Sequence, residues 1–280
     1  MTGHVVRGID ARVAPRQSPY PITHPITPRS FAILAQTDEK TPAMNPRTIV
    51  VGDLHGCFDE AVELLDRLAV SSSDRVIFAG DLVDRGPKPR ECVELAMRHQ
   101  AVLGNHEEKH LQQRRRGDHR LSADHLRTRR ALGPEHYGYL ASLPLFLRLP
   151  EHGAAVVHAG ALPGIPLERQ DAYHLLHAQC VRPPSWKSYW PSKAPADHLF
   201  WTNHWRGPER LIFGHSVFDA PLVSEFAVGI DTGCVYGHAL TAVVLPGWEL
   251  VSVPARAPYH VKTGRDVAAY RVHGDVCAFS

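Results

Sequence analysis

The stretch of sequence that decides the fold runs from residue 48 to residue 56 and reads TIVVGDLHG. Its first four residues are all β-branched, which favours a short buried strand, and the Gly-Asp step after them marks the strand end. Apolar residues at three- and four-residue spacing over Phe58–Leu68 then predict an amphipathic helix. The next run, Arg75–Ala79, predicts a second strand that again ends in Gly-Asp.

The pattern continues with another helix and strand and then changes character. A helix is predicted over Arg90–Arg98 and a strand over Ala101–Leu103, which ends in Gly-Asn. This order predicts an α/β half with a largely parallel sheet. The second half is richer in short β-prone runs, and Pro183–Arg206, rich in Pro and Trp, is predicted to be an irregular loop. Strands are predicted there over Leu145–Leu149, Ala154–His158, Leu211–Phe213, Leu222–Phe226, Leu240–Leu245 and Leu250–Val253.

Composition argues against several classes of protein. The 280 residues are 44% hydrophobic and 21% charged, as in an ordinary globular protein and unlike a fully disordered or coiled-coil chain. No uncharged apolar run reaches the ~20 residues that a membrane span needs, so no membrane partner is expected. A net charge of +2 is too small to predict nucleic-acid binding by bulk charge. The five cysteines are an odd number without a CxxC pair, which favours a cytoplasmic location.

The first 43 residues differ from the rest of the chain. They contain six prolines and little periodic apolar pattern, so we predict that residues 1–43 are a disordered leader. Met44 directly precedes the first predicted strand, and translation starting there is a hypothesis. Residues 44–280 are predicted to form a single domain.

Short polar clusters follow five of the predicted strands. Loops at the carboxyl ends of strands in an α/β sheet converge on one crevice, so these clusters are expected to meet. Their Asp, His and Asn side chains suit a transition metal such as Mn, Fe, Zn or Co, and the thiolates of a structural zinc site are missing. One such cluster alone is typical of an ordinary turn. Packing requirements do not explain five of them in succession, each at the end of a strand. The clusters are GDLHG at 52–56, GDLVDRG at 80–86, GNHE at 104–107, HAG at 158–160 and GH at 214–215.

This series resembles the PPP-type metallophosphoesterases, the calcineurin-like phosphatase superfamily, over Thr48 to Arg256. The resemblance implies a β-sandwich flanked by helices, which makes residues 44–280 one catalytic domain. It also implies two divalent metal ions that share a hydroxide nucleophile, with Mn²⁺ preferred and Fe, Zn, Co or Ni as alternatives. The implied ligands are Asp53 and His55 for the first metal, Asn105, His158 and His215 for the second, and Asp81 as a bridge between them.

The resemblance also implies roles around the phosphoryl group. Arg85 would bind its oxygens, together with Asn105 and with Arg182, which matches a second phosphate-binding arginine over a short stretch. His106 would protonate the leaving group, and Asp84 would orient the His106 ring. Cys57 and Cys234 are interpreted as packing residues. Surface or core roles are predicted for the histidines that match no cluster, such as His110, His119, His174, His177 and His204.

The segment from Lys109 to Arg130 is strongly basic, with eight Lys and Arg residues against two acids. A helix is predicted from Glu107 to Arg116. The basic residues either attract an anionic substrate or form a solvated face, and both interpretations remain open. No aromatic residues alternate with them in the way that single-stranded nucleic-acid binding requires.

The substrate is a separate question. Because the VDRG sequence at 83–86 keeps Asp84, as in protein phosphatases, we predict a phosphoserine/phosphothreonine protein phosphatase acting on phosphoproteins. The DTGCVYG sequence at 231–237 instead resembles diadenosine tetraphosphatases, so a dinucleoside polyphosphate is the alternative substrate. A polynucleotide-end phosphatase is a weaker alternative, because no P-loop accompanies it. A non-catalytic nucleotide-binding module is disfavoured because all six ligand positions are filled. The oligomeric state is left open.

Overall fold

The computed structural model describes residues 46–114 and 121–261, and in it strands from distant parts of the chain pair around the TIVV segment. The helices are α1 (Phe58–Arg67), α2 (Pro89–Ala96), α3 (Asn105–Arg114), α4 (Ala123–Ala131), α5 (Pro134–Ser142) and α6 (Ala172–His177). The strands are β1 (Thr48–Val51), β2 (Arg75–Phe78), β3 (Gln100–Ala101), β4 (Phe146–Leu149), β5 (Ala154–Val157), β6 (Cys180–Val181), β7 (Leu199–Phe200), β8 (Arg210–Phe213), β9 (Leu222–Val223), β10 (Ala227–Gly229), β11 (Ala239–Leu245) and β12 (Glu249–Pro254).

The first sheet has the strand order β12-β11-β1-β2-β3. Strands β1, β2 and β3 pair in parallel, as the alternation of strands and helices predicts. Strands β11 and β12 come from the end of the described chain and extend this sheet by antiparallel pairing on β1. The sheet is therefore mixed, with its parallel half built from the N-terminal elements.

The second sheet has the order β4-β5-β8-β10-β9. Its three central strands, β5, β8 and β10, are parallel, and the two outer strands are antiparallel to their neighbours. Strands β6 and β7 form a separate antiparallel pair. The strand predicted over Leu222–Phe226 is observed only as the shorter β9, because the chain turns back after Val223 and pairs with β9 again as β10.

The two sheets pack face to face, and alternation along each strand decides which side chains lie between them. Val50 and Ile77 of the first sheet share one buried cluster with Val156 and Ile212 of the second. Ile49 and Val51, one position either side of Val50, belong to another cluster that includes α1, α2 and α5. The fold is thus the β-sandwich with flanking helices that the family resemblance implies.

The segment predicted to be an irregular loop covers the outer face of the second sheet. Its Trp201 and Trp205 are fully buried and pack with Phe213 of β8. Strand β7 and a 3-10 turn over Trp201–Asn203 lie within this segment, so it is partly regular. Burial of these indole rings therefore accounts for two of the four tryptophans in the segment.

Several predictions fall outside the described residues. The predicted leader at 1–43 is one of them, as are Arg115, Arg116 and Arg120 of the basic segment. The helix predicted from Glu107 to Arg116 is observed as α3, starting two residues earlier. Within residues 46–114 and 121–261, none of the helices has the length and apolar character to span a bilayer.

Candidate active site

The loops after β1, β2, β3, β5 and β8 bring together the six residues expected to bind metal. Asp53 accepts hydrogen bonds from the backbone N–H of His215 at 3.1 and 3.0 Å, which joins the ends of the two sheets. Asn105, the first residue of α3, lies with its Oδ1 atom 2.9 Å from His158 Nε2 and 3.0 Å from His215 Nδ1. The convergence that the strand-end argument predicts is therefore present.

Asp81 lies between two clusters of ligand atoms. Its Oδ2 atom is 3.4 Å from His55 Nε2, and its Oδ1 atom is 3.4 Å from His158 Nε2. Asp81 forms one set of mutually close ligand atoms with His55 and His106, and a second set with His158 and His215. A carboxylate that bridges two metal ions needs this arrangement, although its bridging role stays a prediction.

The hydrogen bonds of the histidines fit metal binding. His55 Nδ1 donates to the carbonyl of Val83 at 2.9 Å, and His158 Nδ1 donates to the carbonyl of Ala79 at 2.8 Å. In the neutral rings these bonds leave Nε2 as a lone-pair donor toward the cluster. His158 Nε2 and Asn105 Oδ1 are then both acceptors 2.9 Å apart, which a shared cation explains. His215 Nδ1 lies 3.0 Å from the same Asn105 oxygen, so a cation there would contact all three side chains.

The electrostatics of these side chains point the same way. Burial raises the pKa of Asp53, and the nearby carboxylates of Asp231 and Asp81 raise it further. Burial lowers the pKa of His55, His158 and His215, so their rings are neutral near pH 7. The neutral imidazoles are in the form that metal ions require, and a bound cation would favour the ionised form of Asp53.

The backbone at the site is strained. Residues other than glycine rarely adopt the left-handed backbone conformation, because it costs about 1–3 kcal/mol for each residue. Residues with this strain concentrate at functional sites. Positive φ values between 42 and 70° occur at His55, Asp81, Asp84, Arg85 and His215.

Arg85 extends from one of these strained turns toward the metal-ligand cluster. Its guanidinium lies next to His55 Nε2 and 5.4 Å from the centre of the Tyr236 ring. A planar guanidinium offers several N–H donors in a geometry that matches phosphate oxygens. This location agrees with the predicted phosphate-binding role.

Asp84 is buried and contacts three histidines. Its Oδ2 atom lies 2.6 Å from His106 Nδ1 and 3.1 Å from His125 Nε2, and its Oδ1 atom lies 2.8 Å from His110 Nε2. Burial raises the pKa of Asp84, but the hydrogen bonds from His106 and His110 outweigh this, and the net pKa is lowered. Asp84 is therefore held as a carboxylate.

Two of these histidines were missed as site residues by the sequence analysis. His110 is buried, as a core role predicts, but its partner is Asp84 and it belongs to the site. The signal was its position four residues after His106, on the same face of α3. His125 lies on α4 in the basic segment, and its ring stacks on that of His106 with 5.6 Å between the centres. No spacing rule identifies it.

Glu107 holds the backbone of two loops that carry metal-ligand residues. Its fully buried carboxylate accepts hydrogen bonds from the backbone N–H groups of Asp81, Leu82, Val83 and Gly104, at 2.9 to 3.2 Å. Burial and the Asp81 carboxylate raise the pKa of Glu107 to about 8, while the amide donors stabilise its ionised form. The sequence analysis gave this residue no role, although it ends the GNHE cluster.

A cavity of about 570 Å³ opens over these residues. Cationic and aromatic side chains line it beside the metal-ligand cluster. The residues concerned are Arg85, Lys109 and Lys193 among the cations and Trp190, Tyr236 and His260 among the rings.

The sequence model of the calcineurin-like phosphoesterases matches residues 46–241. The chain belongs to the calcineurin-like phosphoesterase family. It is therefore a metal-dependent phosphoesterase, and the clusters around Asp81 are where its divalent ions would bind.

Curated relatives of this phosphoesterase share most of their length with it. The asymmetrical bis(5'-nucleosyl)-tetraphosphatase PrpE of Oceanobacillus iheyensis is 28% identical over 243 residues, covering 75% of this chain and 93% of the relative. The PrpE of Bacillus subtilis is 27% identical over 244 residues, covering 75% and 95%. A symmetrical bis(5'-nucleosyl)-tetraphosphatase of Actinobacillus succinogenes is 28% identical over 254 residues, covering 69% and 92%.

Solved structures agree with the fold. A crystal structure described as a candidate diadenosine tetraphosphatase is 31% identical, with a TM-score of 0.67, covering 76% of this chain and 96% of that one. A serine/threonine phosphatase from Saccharomyces cerevisiae has a TM-score of 0.53 at 16% identity, covering 78% and 82%, which supports the fold alone.

Two predicted features of the phosphoesterase lie apart from the cavity. Arg182 is exposed and forms an ion pair with Asp197, and it is not among the described residues that line the cavity. Its phosphate-binding role stays a prediction. Cys57 and Cys234 are buried in the core beneath α1, which fits the packing role given to them.

Proposed function

We propose that this phosphoesterase hydrolyses dinucleoside polyphosphates, with diadenosine tetraphosphate as the type substrate. The observation that carries the proposal is the make-up of the cavity. Arg85, Lys109, Lys193 and the exposed ring of Trp190 line it next to the metal-ligand cluster. A chain of four phosphates with a nucleoside at each end can contact several cations and an aromatic surface at once. A phosphoserine side chain carries only one phosphate and can contact fewer of them.

The relatives support the same choice over the protein phosphatase predicted from the sequence. The three curated relatives match this chain over more than nine-tenths of their own length. Two are named asymmetrical tetraphosphatases and one is named a symmetrical tetraphosphatase. The protein phosphatase prediction depended on Asp84, which the sequence analysis treated as a mark of monoester substrates. Dinucleoside polyphosphate hydrolysis was the alternative in the sequence analysis, and the cavity and the relatives favour it over protein phosphatase activity.

Different residues of the site would bind the metal ions and the phosphoryl group. Asp53, His55, Asp81, Asn105, His158 and His215 would hold two divalent ions. When bound, such ions polarise the phosphoryl group and make water a better nucleophile. Arg85 binds a non-bridging phosphoryl oxygen and stabilises the charge that develops there.

His106 holds the proton that the leaving group receives. Its Nδ1 atom is engaged by Asp84 at 2.6 Å, so Nε2 is the nitrogen that faces the cavity. A leaving nucleotide is a weaker base than a serine alkoxide and needs this proton less. The Asp84–His106 pair is therefore the one observation that favours protein phosphatase activity as a second candidate function.

A direct comparison of substrates tests the proposal. The Mn²⁺-loaded protein is assayed with diadenosine tetraphosphate and with a phosphoserine/phosphothreonine peptide, and kcat/KM is measured for each. We expect a preference of more than ~10² for the dinucleotide, equivalent to about 2.7 kcal/mol of transition-state binding. The reverse preference would restore the protein phosphatase.

Product analysis and one variant complete the experiment. AMP with ATP indicates asymmetrical cleavage, and two ADP molecules indicate symmetrical cleavage. Asp81→Asn is expected to lose activity on both substrates together with bound metal, measured by elemental analysis. Full activity in that variant would contradict the assignment of the metal centre.

A further inference from the structure

Trp190 differs from the two tryptophans that build the outer core. Its side chain is 49% exposed and lies on the cavity wall, whereas Trp201 and Trp205 are fully buried. The ring centre of Trp190 is 5.9 Å from that of His215, which places the indole at the edge of the metal-ligand cluster. An exposed indole at this position offers a flat apolar surface to whatever enters the cavity.

The backbone around Trp190 is anchored. The residue before it, Tyr189, exchanges two hydrogen bonds with Cys180, with N–O distances of 2.9 and 3.1 Å. On the other side, the N–H of Lys193 donates to the carbonyl of Trp190 at 2.8 Å and closes a 3-10 turn. This turn brings Trp190 and Lys193 close together along the backbone, and both residues line the cavity.

Lys109 contributes a second ammonium group from α3. It is half-buried, and burial lowers its pKa; the Asp84 carboxylate opposes this shift and Arg85 adds to it. Across residues 46–114 and 121–261, no carboxylate lies within ion-pair distance of Lys109 or of Lys193. An anionic ligand in the cavity would compensate for the burial of Lys109.

We propose that Trp190, Lys193 and Lys109 form a subsite for the part of the substrate that lies beyond the reacting phosphoryl group. The indole stacks on a nucleobase, and the two ammonium groups bind the remaining phosphates. This inference rests on the proposed function, since it requires a nucleotide substrate. It assigns specificity to side chains that do not belong to the metal-ligand set.

The test separates binding of the nucleotide from the phosphoryl chemistry. Trp190→Ala and Trp190→Phe are compared with the natural protein on diadenosine tetraphosphate and on p-nitrophenyl phosphate, which has no base or phosphate chain. Stacking on one base corresponds to about 5- to 150-fold in affinity. We expect the KM of Trp190→Ala for the dinucleotide to rise within that range while its kinetics on p-nitrophenyl phosphate stay unchanged. Trp190→Phe should recover most of the loss.

Matched controls lie elsewhere on the surface. Tyr173 is 51% exposed and does not line the cavity, so Tyr173→Ala should affect neither substrate. Arg169 is exposed and does not line the cavity, so Arg169→Ala should likewise affect neither substrate. It is the control for Lys193→Ala and Lys109→Ala, which should raise the KM for the dinucleotide only.

Each outcome has a distinct meaning. If the natural protein cleaves the dinucleotide and Trp190→Ala does so with an unchanged KM, the subsite is refuted and the proposed function stands. If Trp190→Ala loses activity on both substrates, the indole supports His215 rather than a base, and the subsite is again refuted. If the natural protein cleaves only p-nitrophenyl phosphate, the proposed function fails, and the subsite fails with it.

Discussion

The Nδ1 atom of His106 lies 2.6 Å from Oδ2 of Asp84, and this contact determines which nitrogen of the ring meets the substrate. Because Nδ1 is engaged by a buried carboxylate, Nε2 is directed to the cavity. His110 and His125 occupy the other sides of the carboxylate, so Asp84 cannot rotate away from His106 without breaking several contacts.

Replacing His106 should separate substrates by the basicity of their leaving group. His106→Asn removes the proton donor, so turnover of an alkyl phosphomonoester is expected to fall by ~10²–10⁴, while diadenosine tetraphosphate should lose far less. Steady-state kinetics on both substrates, with bound metal measured in parallel, provides the check. Equal losses on the two substrates would argue against proton donation by His106.

Gly104 should tolerate no side chain. A Cβ atom there would lie 2.2 Å from the backbone nitrogen of Asp81 and 2.3 Å from its Oδ1 atom, so Gly104→Ala must displace Asp81. We expect metal affinity, measured by calorimetry, to fall at least about tenfold, as when groups that orient a ligand are disturbed.

The matched control is Gly138→Ala, in the middle of α5. Nothing lies within 4 Å of the added Cβ at that position. The change should stabilise the helix by about 0.5–1 kcal/mol and leave metal binding unaltered. Unchanged metal affinity in Gly104→Ala would show that metal binding does not depend on the exact position of the Asp81 carboxylate.

Glu107 should contribute to stability through the backbone it holds. In Glu107→Gln, an NH₂ group replaces one carboxylate oxygen and meets N–H donors, so about 1–3 kcal/mol of unfolding free energy should be lost. Urea denaturation at pH 9, where Glu107 is ionised because its pKa is about 8, measures this loss. Glu108→Gln, next to it, alters only the contact with His177 at 3.2 Å and should change stability by less than about 0.5 kcal/mol. Similar effects of the two variants would refute the special role of Glu107.

His125 should make the protein less stable in mild acid. Burial lowers its pKa to about 4, with Lys109, His106 and His110 acting in the same direction and Asp84 against them. In the unfolded chain the ring binds a proton below pH ~6.5, so stability falls as pH drops from ~6.5 toward 4.

A variant isolates this contribution. Between pH 7.5 and 5, the natural protein should lose roughly 2 kcal/mol more unfolding free energy than His125→Gln. The comparison uses metal-free protein at both pH values, so that metal release does not contribute. The same pH dependence in both proteins would show that His125 titrates normally.

The sequence predicts most strands of the sandwich because they carry a simple local signal, and the sandwich arrangement itself is what the family resemblance implies. The β-branched run of β1 and the Gly-Asp pairs after β1 and β2 mark strand ends without any knowledge of the tertiary structure. Strand β10 was missed because it has only three residues and ends in Gly229, so its pairing between β8 and β9 defines it. Helix α4 was missed because charged residues surround it, and the buried His125 and Thr128 hold it in place.

The candidate site was predictable where residues fall in strand-end clusters and unpredictable where they only approach in space. Asp53 and Asp81 follow strands directly, whereas His125 comes to Asp84 through the packing of α4. Trp190 carried no sequence signal because its neighbours in the tryptophan-rich segment are core residues. The choice of substrate depended on Asp84, which both candidate reactions accommodate.

The hydrogen bonds between Asp53 and the backbone of His215 join the two sheets at the edge where the metals are expected. Ions bound there would be held by ligands from both sheets at once, so metal binding and sheet association would stabilise each other. A cell growing with little available metal would then contain fewer intact molecules of this enzyme, in addition to less active ones. Metal supply would set the lifetime of the protein as well as its rate.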